Sequence, residues 1–328
     1  MSSAEAREFR GGLWPYIEIA RPDHWFKNAF MLLGVLLAFF YRPGLLEANS
    51  LLLLLAALVA TCLVASSNYV INEYLDAPLD RLHPKKKFRP AARGAVQTYW
   101  VMFEWGLLGV IGIGLAFALN APFGASAFLL WIMGCIYNIP PVRSKELPYL
   151  DVLSESLNNP IRLFLGWFAL VPDQLPPVSL ALSYWMVGAY FMAAKRFAEY
   201  REIGDPQLAA DYRRSFHHYN ESRLLSSMTF YLAAGALFGG VFIVRYKLEL
   251  ILVVPFVAGF FAWYSKLTML PDSPVQNPEK LHGQKGFFIY ALLCTLIFIA
   301  LMFISIPAMY GLFNVEASGL PPLWTVTG

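Results

Sequence analysis

An apolar run that ends in acidic and then in basic side chains constrains this chain more than any other feature. Residues 49–71 carry no charged side chain, and a run of about 20 apolar residues is long enough to cross a bilayer core as a helix. Every backbone group inside lipid has to be hydrogen-bonded within the protein, so the run predicts a membrane-spanning helix. Ionisable residues at the end of such a helix usually have a function, which makes residues 72–94 the first candidate for a site.

The candidate site begins with oxygen-bearing side chains and continues with cations. The oxygen donors are Asn72, Glu73, Asp76 and Asp80. The basic side chains that follow are Arg81, His83, Lys85, Lys86, Lys87, Arg89 and Arg93. Mg²⁺ takes a few carboxylates together with phosphate oxygens, while Lys and Arg bind the remaining anionic oxygens. The pattern favours a divalent cation that carries a phosphorylated ligand, whereas an ordinary cytoplasmic loop would explain only the cations.

The composition indicates an integral membrane protein. The 328 residues are 58% hydrophobic and 14% charged, whereas a soluble domain carries about 25% charged residues. Cys62, Cys135 and Cys294 lie in apolar runs at unrelated spacings, which predicts neither a disulfide framework nor a zinc site. The N-terminal stretch is charged and lacks the short apolar core of a signal peptide. The sequence contains no P-loop or dinucleotide-binding turn, and nucleic-acid binding is not expected.

Apolar windows predict an all-α polytopic membrane protein with about nine transmembrane helices around a polar cavity that faces the cytoplasm. The predicted spans are residues 25–42, 50–73, 98–120, 123–140, 150–171, 178–200, 224–244, 249–269 and 287–312. Lys and Arg concentrate in the leading segment and in every second connection, which predicts a cytoplasmic N-terminus and an external C-terminus. The predicted division is a cytoplasmic segment at 1–24, one transmembrane domain at 25–313 and an external tail at 314–328.

A second polar stripe lies in the connection after the fourth span. Asp151, Glu155 and Asn159 stand four residues apart and would share one helix face. Arg162 lies deep in the fifth predicted span, where an arginine needs a partner, and the candidates are Glu155 and a ligand phosphate. Pro160 predicts a kink at mid-span. The alternative is a structural ion pair that holds two helices together.

Charged side chains also lie near the ends of three other predicted spans. Lys27, at the start of the first span, either anchors the helix at the interface or binds a ligand. Lys195, Arg196 and Glu199 lie at the predicted cytoplasmic end of the sixth span. Glu104, near the start of the third span, either lies at the interface or faces the cavity.

The arrangement of these motifs resembles a known family. An Asn-x-x-x-Asp-x-x-x-Asp motif at residues 72–80 closes the second of nine helices, and a second acidic motif follows the fourth. This pattern resembles the UbiA-type intramembrane prenyltransferases. Three segments resemble the polyprenyl-phosphate phosphoribosyltransferase branch of that superfamily, namely RPDHWFKN at 21–28, DRLHPKKKFRP at 80–90 and AKRFAEY at 194–200. So does a K-x-x-P-x-L-D…R-x-x-x-G pattern that begins at Lys145 and ends at Gly166.

The resemblance implies roles for individual residues. The cation would be bound by Asn72, Glu73, Asp76 and Asp80, and catalysis would depend on Asp76, Asp80 and Asp151. The implied substrate-binding residues are Lys27, Lys86, Arg89, Tyr137, Lys145, Glu155, Arg162, Lys195, Arg196 and Glu199. Glu73 stands where the family usually has Asp. Pro78 is expected to interrupt the helix, so that Asp80 would leave the face of Asn72 and Asp76.

The function implied by the resemblance is Mg²⁺-dependent transfer of a 5-phosphoribosyl group from phosphoribosyl diphosphate to a polyprenyl phosphate, feeding pentose-containing glycoconjugates of the cell envelope. Mn²⁺ is the alternative cation. The implied location is the inner (plasma) membrane with the active site facing the cytoplasm, and a homo-oligomer is compatible with the sequence. One alternative is transfer of a prenyl group from a prenyl diphosphate to a quinone or haem precursor. A non-catalytic transporter is the alternative from another class, although transporters tend to place broken helices near the bilayer midplane.

Overall fold

The computed structural model describes residues 12–45, 48–81, 86–276, 281, 283–316, 323 and 325. These residues form α-helices and 3-10 helices, and their only strand-like pairing is an isolated antiparallel bridge between Gln174 and Thr325. The prediction of an all-α fold is confirmed. His83, Lys85 and most of the predicted external tail lie outside the described residues.

The helices follow one another with short connections. The α-helices are α1 (Trp14–Ile19), α2 (Leu32–Tyr41), α3 (Ala48–Asp80), α4 (Thr98–Leu119), α5 (Ala121–Asn138), α6 (Leu150–Ser156), α7 (Asn158–Phe168), α8 (Val178–Ile203), α9 (Pro206–Tyr212), α10 (Glu221–Tyr246), α11 (Val254–Thr268), α12 (Lys285–Phe303) and α13 (Pro307–Leu312). The 3-10 helices are Pro22–Met31, Pro43–Leu45, Lys86–Phe88, Ser144–Glu146, Arg214–His217, Leu248–Val253 and Pro274–Gln276.

Seven helical stretches among the described residues are long and apolar enough to cross a membrane. They are Trp14–Tyr41, Asn49–Asp80, Thr98–Leu119, Ala121–Asn138, Glu221–Tyr246, Leu248–Thr268 and Lys285–Phe303. The chain is therefore an integral membrane protein. The count of nine spans and the cytoplasmic N-terminus stay predictions.

Two of the nine predicted spans are not among these seven. The span predicted at 150–171 is interrupted at Leu157, where α6 ends and α7 begins. Pro160 lies in the first turn of α7 and has no N–H to donate to the carbonyl of Ser156, and the first turn is where a helix tolerates that loss. The break predicted from Pro160 is therefore present three residues earlier. α8 has the length of a span, but its C-terminal third is charged.

Three further predicted spans are helical without being single α-helices. The first begins within the 3-10 helix Pro22–Met31 and continues in α2, and the eighth begins in the 3-10 helix Leu248–Val253 and continues in α11. In the ninth, α12 ends at Phe303 and Pro307 begins α13. Proline disfavours helical backbone at the residue before it, which separates these two helices.

The chain forms two compact units, Met1–Ser144 with Ile161–Pro172 and Lys145–Pro160 with Asp173–Gly328. In the first unit, α3 packs along α4, and both helices contact α5. In the second unit, α8 packs along α10, and a buried cluster that includes Tyr190, Phe197 and Tyr264 fills the interior. Close packing of this kind is the main source of helix association in lipid, where apolar burial alone gives little driving force.

α3 is longer than a bilayer core is thick. Its 33 residues extend about 50 Å at 1.5 Å per residue, compared with about 30 Å of hydrocarbon. The helix continues through Pro78 and ends at Asp80, so the predicted interruption at Pro78 is wrong. The proline lies two residues from the helix end, where only the carbonyl of Tyr74 loses its helical partner. Asn72, Asp76 and Asp80 therefore share one helix face.

α2 and α7 cross with their backbones in contact in the first unit. A Cβ atom added to Gly34 would lie 2.0 Å from the carbonyl oxygen of Leu163, and one added to Gly166 would lie 2.0 Å from that of Met31. Neither position has room for a side chain, because the neighbouring atoms belong to the backbone. The crossing fixes the position of Arg162, which lies one turn before Gly166.

Candidate active site

The last turns of α3 hold a group of polar residues that we call the first acidic cluster, Asn72, Glu73, Asp76 and Asp80. Each aspartate accepts a hydrogen bond from an arginine. Arg143 Nη2 lies 3.0 Å from Asp76 Oδ1, and Arg89 Nη1 lies 2.7 Å from Asp80 Oδ2. Asn72 Nδ2 donates to Asp76 Oδ2 at 3.4 Å. The cluster thus combines carboxylate oxygens, which bind cations, with guanidinium groups, which bind phosphate oxygens.

Glu73 has a different environment from the two aspartates. It is 2% exposed, and its Oε1 accepts the backbone N–H of Ala91 at 3.4 Å. Arg81 Nε donates to the carbonyl of Ala92 at 3.1 Å. These contacts tie the loop that carries Arg89 to the end of α3.

Two other predicted site residues of the first unit are lysines. Lys27 lies beside an aromatic ring, and Lys86 lies in the loop after α3 that also carries Arg89. Lys27 Nζ lies 5.8 Å from the centre of the Tyr69 ring, a cation–π distance. Lys86 begins the 3-10 helix Lys86–Phe88 and is half-buried. Both interpretations of Lys27, as an interfacial anchor and as a ligand-binding residue, stay predictions.

Sequence reasoning did not single out Asn138 and Arg143. Asn138 Oδ1 accepts a hydrogen bond from Asn72 Nδ2 at 2.5 Å, and Arg143 pairs with Asp76. Asn138 closes the apolar helix α5, directly after the half-buried Tyr137. An amide at the end of an apolar span, followed by an arginine in the next loop, repeats the pattern seen at the end of α3 and was the available signal.

Arg162 is buried in α7 and contacts the segment before α2. Its Nε donates to Asn28 Oδ1 at 3.1 Å, and Asn28 Nδ2 donates to Cys62 Sγ at 3.2 Å. Asn28 was part of a quoted motif but was not assigned a role from the sequence. The amide of Asn28 is oriented by its two partners, so that its oxygen faces the guanidinium. The pairing of Arg162 with Glu155 stays a prediction.

The second unit contains a hydrogen-bonded group that we call the Asp151 network, Asp151, Glu155, Arg196, Glu199, Ser215 and Tyr219. Asp151 is 0% exposed. It accepts hydrogen bonds from Tyr219 Oη at 2.7 Å, Ser215 Oγ at 3.2 Å and Arg196 Nε at 3.3 Å. Proteins tolerate a fully enclosed carboxylate only when it has donors of this kind.

Arg196 is the centre of the Asp151 network. It is 3% exposed, and each of its three nitrogens lies 3.3 Å from a different carboxylate, those of Asp151, Glu155 and Glu199. Arg213 Nε lies 3.9 Å from Glu199 as well. The planar guanidinium has five N–H donors in a fixed geometry, and this arrangement needs that geometry rather than a point charge.

Tyr219 links the network to the start of α6. Its hydroxyl donates to Asp151 and accepts the backbone N–H of Tyr149 at 2.6 Å. Burial, and then the negative charge of Asp151, raise the pKa of Tyr219 well above its ordinary value. The phenol is therefore protonated at neutral pH and can act as a donor. Ser215 and Tyr219 were not predicted, although they lie in a loop rich in aromatic and cationic residues.

Two further predicted residues lie near the network along the chain. Lys145 is buried in the 3-10 helix Ser144–Glu146. Lys195 is half-buried and lies one turn before Glu199 on α8. Both therefore belong to the second unit together with Asp151.

The donor chemistry of the first acidic cluster fits a hard divalent cation. Asn72, Asp76 and Asp80 offer oxygen donors along one helix face, and Mg²⁺ prefers oxygen ligands. No group of three or more His, Cys, Asp or Glu residues in the described part of the chain has the geometry of a ready metal site. Mg²⁺ commonly uses one or two protein carboxylates and takes its other ligands from water and substrate phosphates. The cluster fits a cation that arrives with its ligand.

The fold is that of a helical membrane protein, and two carboxylate–arginine pairs lie where one of its candidate membrane-spanning helices, α3, ends. The chain belongs to the UbiA prenyltransferase family, because the sequence model of that family matches residues 29–292.

Individual relatives agree with this assignment. The chain is 30% identical over 214 residues to a decaprenyl-phosphate phosphoribosyltransferase of Mycolicibacterium smegmatis, a match that covers 63% of each chain. It is 28% identical over 213 residues to a protoheme IX farnesyltransferase of Chromohalobacter salexigens, with 63% of this chain and 70% of the relative covered. The match thus spans somewhat less than two thirds of the phosphoribosyltransferase.

A solved structure has the same fold. A UbiA homologue from Archaeoglobus fulgidus, bound to DMAPP and Mg²⁺, superposes with a TM-score of 0.64 at 17% identity, covering 89% of this chain and all of the other. The likeness confirms the UbiA-type fold.

Proposed function

We propose that this protein transfers a 5-phosphoribosyl group from phosphoribosyl diphosphate to a polyprenyl phosphate, with Mg²⁺ as the cation. The observation that carries the proposal is the first acidic cluster, in which Asp76 pairs with Arg143 and Asp80 pairs with Arg89 at the end of α3. Carboxylates for a cation and guanidinium groups for phosphate oxygens occur side by side. The choice of a ribosyl donor is supported by the similarity to the mycobacterial phosphoribosyltransferase.

The bond changes follow from the chemistry of the two substrates. The bond between the anomeric carbon and the diphosphate oxygen breaks, and the diphosphate leaves with the electron pair. An oxygen of the lipid phosphate forms the new bond to that carbon. A phosphate monoester is already ionised at neutral pH (second pKa about 6), so the reaction needs no strong general base.

In this proposal the first acidic cluster binds the leaving group. Asp76, Asp80 and Asn72 would hold the cation, which neutralises part of the charge on the diphosphate. Arg89 and Arg143 bind the remaining phosphate oxygens, and Lys86 supplies further positive charge from the same loop. In the absence of substrate, each aspartate pairs with its arginine, which keeps both groups in place.

The Asp151 network has a positioning role in this proposal. Asp151 is fully enclosed and its oxygens are engaged by three donors, so it holds Arg196 and Tyr219 rather than touching a substrate. Glu155 is 38% exposed at its side chain and is the carboxylate of the network that a ligand can reach. We assign to Arg196 the task of fixing the position of Glu155.

We also propose that the loop after α3 faces the cytoplasm in the plasma membrane, because its cations are the kind of residue retained on that side. Phosphoribosyl diphosphate is a soluble, highly charged compound and would reach the site from that side. The lipid acceptor would enter from the bilayer.

The test supplies purified protein and Mg²⁺ with labelled phosphoribosyl diphosphate and a polyprenyl phosphate, and separately with a labelled prenyl diphosphate and an aromatic acceptor. The expected result is label in a phosphoribosyl lipid from the first mixture alone, identified by mass spectrometry. Asp76→Asn should abolish the product. Asp272→Asn is the matched control, since Asp272 is exposed and has a positive φ of 54° that asparagine tolerates. A prenylated aromatic product, or no product from either mixture, would overturn the proposal.

A further inference from the structure

A groove in the second unit is lined by residues that belong neither to the first acidic cluster nor to the Asp151 network. It has a volume of about 450 Å³ and is bounded on one side by α10 and on the other by Tyr149 and Leu153 at the start of α6. A volume in this range suits a ligand of drug-like size or part of a larger one. Nothing in the proposed mechanism so far uses this groove.

The side of α10 that lines the groove changes from polar to aromatic along the helix. Ser222 and Ser226 precede Phe230 at intervals of four residues, and Arg223 and Ser227 precede Tyr231 at the same interval. Residues four apart lie above one another on a helix, so both rows are polar in the first two turns and aromatic in the third. From Ser222 to Phe230 the helix rises about 12 Å.

This gradient follows the direction from the membrane surface into the bilayer. α10 is one of the stretches long and apolar enough to cross a membrane, and Glu221 is its first residue. Its first turn therefore lies near an interface, and the aromatic turn lies deeper. A ligand that fits both ends has a polar head and an apolar tail.

The polar end favours a negatively charged head. Arg223 is exposed in the first turn, where its Nη1 donates to the carbonyl of His218 at 2.6 Å and its backbone N–H donates to Asn220 Oδ1 at 2.9 Å. A guanidinium has five N–H donors and can bind an anion with the others, and the positive end of the helix dipole favours negative charge. The acidic residue of this turn, Glu221, lies 3.8 Å from Arg201 and is partly neutralised by it. Serine hydroxyls at 222 and 226 add hydrogen-bond donors along the path of the head group. The opposite end, with Leu153, Phe230 and Tyr231, has no charge and suits hydrocarbon.

We infer that this groove binds a polyprenyl phosphate, with the phosphate at Arg223 and Ser222 and the first isoprene units against Phe230 and Leu153. The identification of the lipid as the acceptor rests on the proposed function. The groove is connected to the Asp151 network, since Tyr149 forms its wall and donates its backbone N–H to Tyr219, which in turn donates to Asp151. A lipid seated in the groove lies directly against the residues that hold the network in place.

The first test measures binding without any donor substrate. Purified protein in detergent is titrated with a fluorescent polyprenyl phosphate, and the Kd is compared among variants. Ser226→Trp places a large ring in the middle of the groove and should raise the Kd at least tenfold. Arg223→Gln should raise it by roughly tenfold, the usual effect of losing a charge-assisted hydrogen bond.

Two substitutions on the same helix serve as matched controls. Leu237→Trp adds the same ring at a position that is 74% exposed and outside the groove, and Arg245→Gln removes the same charge at the other end of α10. Both should keep the parental Kd. Competition with the neutral polyprenol and with inorganic phosphate shows which part of the ligand is recognised, and each should compete at least tenfold less well than the lipid phosphate.

The inference is overturned if Ser226→Trp binds the lipid phosphate as tightly as the parent, or if polyprenol or inorganic phosphate alone competes equally well. Its failure can be told from that of the proposed function. Parental protein that binds the lipid phosphate in the groove but forms no phosphoribosyl lipid refutes the proposed function and keeps the groove. Active Ser226→Trp with a parental KM for the lipid keeps the function and refutes the groove.

Discussion

Gly166→Ala tests whether the backbones of α2 and α7 are in contact. The new Cβ would lie 2.0 Å from the carbonyl oxygen of Met31, 2.9 Å from its carbonyl carbon and 3.1 Å from the nitrogen of Val35. An ordinary carbon–oxygen contact is about 3.3 Å or longer, so the two backbones have to separate by roughly 1.3 Å. A side-chain rotation cannot relieve the clash, because every one of these atoms belongs to the backbone.

The expected cost is that of overpacking, about 1–3 kcal/mol. For a chain of this size 1 kcal/mol corresponds to a shift of roughly 2–4 °C in Tm, so Gly166→Ala should melt several degrees below the parent in detergent. Activity should also fall, because Arg162 lies one turn away and would be displaced from Asn28. Gly114→Ala is the matched control, since its Cβ would meet nothing within 4 Å on α4. A Gly166→Ala protein with parental Tm and activity would refute the close crossing.

Three further predictions concern the charged groups. Asp80→Asn and treatment with chelator should each remove most transferase activity, while the melting temperature stays near that of the parent. Added Mg²⁺ should restore activity to the chelated parent but not to Asp80→Asn. Full turnover in chelator would contradict a cation-dependent reaction. Arg162→Lys keeps the charge but loses the planar fork, so product formation should drop at least tenfold with little change in Tm; parental kinetics would show that the fork is not needed. Tyr219→Phe removes a donor from a buried carboxylate and should lower stability by about 1–3 kcal/mol. Because the folded pKa of Tyr219 is raised, this difference should be constant below the ordinary value of about 10 and shrink as pH rises beyond it, and a difference in Tm that changes between pH 7 and 9 would contradict the raised pKa.

The sequence predicted the local features of the site well. The apolar run was enough to locate α3, although the span predicted at 50–73 stops before the helix end at Asp80. The spacing of Asn72 and Asp76 was enough to locate its acidic face, because that face depends on helix periodicity alone. The effect of Pro78 was misjudged. A proline interrupts a helix when the turns beyond it must be built without its hydrogen bond, and here only two residues follow it.

Partners far apart in the sequence could not be predicted in the same way. Arg143 and Asp76 are separated by 67 positions, and Tyr219 and Asp151 by 68. No pattern in a single sequence indicates that such distant positions are in contact, since the contact depends on how whole helices pack. Burial was equally hidden, because Asp151 lies in a polar stripe that resembles an exposed helix face until Ser215 and Tyr219 enclose it.

The difference in burial between the two sets of carboxylates separates their roles. Asp76 is 22% exposed at its side chain and Asp80 is 7% exposed, with Arg89 at 25% covering it. In the proposed function a cation would therefore reach Asp76 more readily than Asp80, which becomes available only when Arg89 turns toward a phosphate of the incoming ligand. Asp151, at 0%, would need its whole network to open, which would leave Arg196 buried without one of its counter-charges at a cost of several kcal/mol. In the proposed function the same residue type would thus have two uses in one chain, as a cation ligand in the first acidic cluster and as a support in the Asp151 network.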